Sequence, residues 1–167
     1  MAPLGRAQAM LAPRGRRVTR PREGRLAFAI KTQISDPDAQ TFVFSKVKSM
    51  YGGKRLAAGD VVYLFNSENE GGTGLFARGL VTAAALEPRA SDRVRQSPRL
   101  TLAVRRTGTA ARPLGRLELK PYAGDPGPGG ELHFKFYRQA TNKIIGLTAE
   151  ASDYLDGFFE TQPQGRP

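Results

Sequence analysis

The stretch from Gly59 to Ala84 constrains the fold more than any other part of this sequence. It opens on a Gly59-Asp60 turn and runs through Val61, Val62, Tyr63, Leu64 and Phe65, an apolar and aromatic run rich in strand formers. At Asn66 it turns abruptly polar, through Ser67, Glu68, Asn69 and Glu70, and three glycines follow at 71, 72 and 74. A second apolar run then begins at Leu75 and continues through Val81. Two such runs around a polar, glycine-rich connection predict two antiparallel strands, the first buried on both faces. A buried strand that ends in amides, a hydroxyl and carboxylates marks the floor of a recognition site. The plainer reading is a solvated hairpin loop.

The other elements are read against this pair. Leu26 to Ile30 is a short apolar run expected as the first strand. Ser35-Asp36-Pro37 offers a helix start, and Val43, Val47 and Met50 fall at i, i+4 and i+7, which predicts a helix; Phe42 and Phe44 leave a strand as the alternative. Leu100, Leu102 and Val104 alternate and predict a strand over Arg99 to Arg106, and Leu117 and Leu119 continue that alternation. The loop Ala123 to Gly130, rich in glycine and proline, is expected to hold neither a helix nor a central strand. Glu131 to Arg138 reads as a strand with Leu132, Phe134 and Phe136 toward the core and His133, Lys135 and Tyr137 away from it. Thr148 caps a final helix whose apolar face is Ala151, Leu155, Phe158 and Phe159. About six strands and two helices, with short connections, give an α+β class: a small curved mixed sheet or open barrel flanked by helices.

Composition limits the chemistry. The 167 residues favour one domain, expected over 26–160 between a basic tail at 1–25 and a short tail at 161–167. There is no cysteine and a single histidine, His133, so neither a thiolate nor an imidazole metal site is expected, and no cofactor. The lack of cysteine fits a reducing compartment such as the cytoplasm. No apolar run is long enough for a membrane helix, so no membrane partner is expected.

The net charge of +11 points to a polyanion, through counterion release. Seven arginines against one glutamate lie in residues 1–25. A second basic patch, Lys46, Lys48, Lys54 and Arg55, surrounds Tyr51 and suits a nucleic-acid backbone. Reading a base takes a flat aromatic face, amides for its edge and cations for phosphate. Asn66, Ser67 and Gln139 can meet a base edge, while Lys31, Arg55, Arg138 and Lys143 can meet phosphate. Their ordinary reading is local loop capping for the amides and a solvated face for the charges.

Gly59 to Ser67 resembles the G-D-x-V-x-x-Y/F-x-S strand of EVE domains, in the PUA-like superfamily. Gly74 to Val81 is similar to the strand that follows there, Tyr137-Arg138-Gln139 resembles an x-R-Q near the domain's end, and Leu147 to Leu155 resembles its last helix. The resemblance spans Leu26 to Phe159. It implies a small curved β-barrel flanked by helices that binds nucleic acid, or a modified nucleoside or base, in a pocket without catalysis. Family pockets commonly use tryptophan, which this chain lacks; the stacking surface would fall to Tyr51, Phe65 or Tyr137. The rival reading is enzymatic. Lys54 after Gly53 resembles the G-x-K turn of ASCH amidohydrolases that act on modified nucleosides, with Glu68 or Glu70 as acid or base, but their E-x-R pattern is missing.

Overall fold

In the computed structural model residues 27–88, 97–139 and 141–159 are described. The expected tails at 1–25 and 161–167, and most of the polar loop between Glu87 and Pro98, lie outside them. Six strands form: β1 Ala27–Thr32, β2 Thr41–Met50, β3 Val61–Asn66, β4 Gly74–Leu86, β5 Arg99–Thr109 and β6 Lys143–Leu147. They do not stay open but close into a barrel in the order β1-β3-β4-β5-β2-β6. The sheet is mixed: β1 with β3 and β2 with β6 are parallel, and the other four pairings are antiparallel. Three helices, α1 Arg116–Leu119, α2 Pro128–Leu132 and α3 Ala149–Asp156, flank it.

Two apolar layers explain the pattern of burial. Phe28 and Ile30 of β1, Val62 and Leu64 of β3, and Leu100, Leu102 and Val104 of β5 fill one buried cluster, the barrel interior. The alternate residues of β1 and β3, namely Ala27, Ala29, Tyr63 and Phe65, belong to a second cluster with Leu132, Phe136, Ala151 and Leu155 from the helices. Both faces of β3 are therefore buried, which is why its sequence is continuously apolar. The expected strand pair β3 and β4 is present and antiparallel. The final helix is also present, with the Thr148 hydroxyl accepting from the Ala151 amide at 3.1 Å. Its end is tied down by the Tyr63 hydroxyl, which donates to Asp156 Oδ1 at 2.6 Å.

Four expectations are corrected. Residues 41–50 form a strand, not a helix. Ser35 to Pro37 serves a turn, in which the Asp36 carboxylate accepts from the Asp38 amide at 3.2 Å. A bulge between Phe44 and Val47, with Lys46 in the left-handed region at φ 53°, changes the spacing of the buried residues Phe42, Phe44 and Val47 from two to three. That break imitates a helical period, although Val43, part of the supposed apolar face, is 73% exposed.

Residues 131–138 are helical, not extended. Pro128 starts α2 in its first turn, and a wider π-type turn, His133–Tyr137, continues it. Leu132 and Phe136 are buried, but Phe134 is 46% exposed. A spacing of four satisfies both a strand and a helix, so only Phe134 could have separated the two. The 123–130 segment thus does carry a helix start. The supposed alternation at Leu117 and Leu119 belongs to α1, with Leu119 buried and Leu117 exposed.

Candidate nucleic-acid interface

The end of the barrel where β1 and β3 finish and β6 begins carries a row of residues at one level. Lys31 pairs with Phe65 on one side and with Lys143 on the other. All three share the outward face of the sheet, beneath the helical layer, because their strand neighbours two residues away lie in the outer apolar cluster. Lys48 of β2 stands one residue before the Ser49–Ile144 register, beside Lys143. Lys31 is 0% exposed and Lys143 1%. Buried cations are rare, and like charges directly opposite one another in a sheet are destabilising.

Burial is the main reason that the Lys143 ammonium is pushed down to about 8; the charges of Lys31, Lys48 and Arg138 add to it. Its Nζ donates to the Gln139 carbonyl at 3.2 Å. The Lys31 Nζ lies 5.5 Å from the centroid of the Tyr137 ring, within cation–π range. Arg116 approaches the same ring, its guanidinium carbon 5.7 Å from the centroid.

Tyr137 touches the turn that follows β3. The Tyr137 hydroxyl donates to both Glu68 oxygens, at 3.0 and 3.1 Å. The Arg116 amide donates to Glu68 Oε2 at 2.8 Å. Burial, then the Glu68 charge, pushes the Tyr137 phenol well above its ordinary range. Ser67 is buried, and its hydroxyl accepts from the Asn69 amide at 3.3 Å, capping the turn that presents Glu68. Asn66 Oδ1 accepts from the Ile34 amide at 3.1 Å and fixes the chain leaving β1.

No family model matches this chain, and neither does any curated protein. Solved structures do match. Human THYN1 protein, crystallised in complex with 5-methylcytosine containing DNA, is 16% identical with a TM-score of 0.56, over 85% of this chain and 99% of that one. The DUF55 domain of human thymocyte nuclear protein 1 is 15% identical with a TM-score of 0.54, over 77% and 95%. A hypothetical protein from Leishmania major is 14% identical with a TM-score of 0.54, over 81% and 94%. The chain shares the fold of these solved structures, a closed mixed barrel flanked by helices.

In this barrel the Gly59-Asp60 pair has a plain structural task. Gly59 sits at φ 96°, and the Asp60 carboxylate accepts from the Ala57 amide at 2.9 Å. Together they turn the chain into β3. Gly74, at φ 88°, starts β4, and a Cβ there would lie 2.3 Å from the Leu114 carbonyl oxygen.

The remaining sequence candidates are distributed around the barrel. Phe65 cannot offer a face to a base as arranged, because it is fully buried with its ring 4.9 Å from that of Phe136. Gln139 and Arg138 are exposed beside the lysine row. Tyr51 is separate from Asn66: its carbonyl accepts from the Gly146 amide, three residues along β6 from Lys143, or about 10 Å. Lys46 lies in the exposed bulge of β2, and Lys54 and Arg55 lie on the exposed turn Gly53–Arg55. Sequence reasoning missed Arg116, and it weighed Glu68 only as an acid or base. No local signal predicts that Glu68 holds Tyr137. Among the described residues no group of three or more histidines, cysteines or acids could hold a metal, and no helix is long and apolar enough to cross a membrane.

Proposed function

We propose that this chain is a non-catalytic binder of nucleic acid, that the phosphate backbone lies over exposed Arg138 and half-buried Lys48 in the field of the buried pair Lys31 and Lys143, and that a modified base is read beside Tyr137. The observation that carries the reading is the pair of buried lysines opposite one another. Folding brings these two charges together against their mutual repulsion, and an anion relieves it. Exposed Arg138 and half-buried Lys48 present the positive field at the surface.

Tyr137 supplies the aromatic ring, held in place through Glu68. Gln139 is the exposed amide nearest the row and suits a base edge. Asn66 and Ser67 shape the floor through their bonds to the Ile34 and Asn69 amides. Lys46, Lys54 and Arg55 extend the basic surface. The structural neighbour in complex with 5-methylcytosine containing DNA supports a nucleic-acid ligand and makes a methylated cytosine the first base to test.

The test is fluorescence anisotropy with single- and double-stranded oligonucleotides, with and without 5-methylcytosine, against wild type, Lys143→Met and Gln139→Ala. Lys143→Met should weaken all oligonucleotides alike and reduce the salt slope by about one. Gln139→Ala should weaken the preferred base by about 1–3 kcal/mol and leave the others nearly unchanged. Equal affinity of all three proteins for every oligonucleotide would overturn the reading.

A further inference from the structure

Phe134, left on the surface by the helical course of residues 128–137, lies beside Tyr51, which directly follows β2. Tyr51 is 37% exposed and Phe134 46%. Their ring centroids are 5.9 Å apart. Each carries a cation: Arg138 lies 4.5 Å from the Phe134 centroid and Lys135 5.8 Å from that of Tyr51. Arg55 and Lys135 line the small cavity, about 160 Å³, on which Tyr51 also borders.

Tyr51 is also held in an unfavourable backbone region. It sits at φ 52°, directly before Gly52 at φ 84°. Asparagine or glycine suits the first of these positions better than a bulky aromatic does. A residue kept at such a position against its backbone preference points to work done by its side chain.

We propose that Tyr51 and Phe134 form a stacking platform for single-stranded nucleic acid leaving the lysine row. The proposal rests on the reading above, since Arg138 belongs to both: it adds to the field at Lys143 and lies over Phe134. Charge decides the occupant. Exposed aromatics beside the exposed Arg138 and Arg55 suit unstacked bases on a polyanionic backbone, whereas the core of a protein contact is depleted in charge. A duplex keeps its bases stacked on one another and cannot use the platform. The prediction is a preference for a single strand that continues about 10 Å beyond the lysine row along β6.

The chain has no tryptophan, so Phe134→Trp supplies a single reporter. Strands of two and of about eight nucleotides are titrated into it, with a duplex of the same length, reading tryptophan emission and anisotropy together. The longer strand should bind more tightly and quench the emission, and the duplex should not quench it. Phe134→Ala and Tyr51→Asn should each lose about tenfold on the longer strand and little on the dinucleotide. Tyr51→Asn keeps the turn, so its loss reports stacking and not folding. Binding of the longer strand with no quench and no loss in either variant overturns the platform and leaves the lysine row standing. Emission that shifts with protein concentration but not with oligonucleotide makes the pair a protein contact and overturns it as well. No binding of any oligonucleotide overturns both readings.

Discussion

Lys31 and Lys143 stand directly opposite one another on antiparallel strands, both buried, on a face otherwise lined by apolar side chains. Replacing either lysine with methionine keeps the stem and removes the charge. Lys143→Met is expected to stabilise the fold by about 1–2 kcal/mol, as exchange of a buried ion for an isosteric apolar group often does, while oligonucleotide affinity falls. Urea denaturation and anisotropy on the same variant check both. Loss of stability together with loss of binding would mean that the lysines serve the fold instead.

The same charge has a pH signature. Lys143 releases its proton near 8 when folded, against an ordinary value of 10.5. Between these values the unfolded chain binds more protons than the folded one, so stability should rise as pH rises through that window. Anion binding runs the other way, because it needs the protonated amine. Oligonucleotide affinity should therefore fall as pH rises from 7 to 9, and the fall should disappear in Lys143→Met. Titration of both proteins by anisotropy across that range is the measurement.

Tyr63 links the sheet to the last helix. Its hydroxyl donates to Asp156 and lies 3.0 Å from the Ser152 hydroxyl. Tyr63→Phe should cost about 1 kcal/mol and no more, because Asp156 keeps Arg78 as a partner at 2.6 Å. Chemical denaturation should show this with the m-value unchanged.

Gly74→Ala should be far more harmful for a single methyl group. The residue is at φ 88°, and the new Cβ would approach the Leu114 carbonyl oxygen and the Gly115 Cα. A loss of about 2–3 kcal/mol is expected, read as a lowered Tm. A control, Gly71→Ala, shares the positive φ but meets nothing within 4 Å, so it should lose less.

The sequence made the β3–β4 pair and the capped last helix legible because each rests on local signals: continuous burial, a turn and an N-cap. β2 misled because its bulge shifts one residue and so writes a helical spacing into a strand. The 131–138 segment misled because Leu132 and Phe136 suit either period. The lysine row was the least legible. Lys31 and Lys143 were both chosen as phosphate ligands, but each looks in isolation like a solvated charge. Only barrel closure makes them neighbours.

That closure also sets the order in which the chain can be finished. Among the described strands β6 is synthesised after the other five, yet it is the stave that joins β1 to β2. Until residues 143–147 arrive, both of those strands present unpaired edges, and the first of them is made before the other four strands. Such edges are templates for pairing with another chain, and contacts this distant in sequence form slowly. A product that ends before Lys143 should therefore be found in inclusion bodies, while the full chain stays in solution. Occupancy of the last stave makes this a test of translation fidelity as much as of folding.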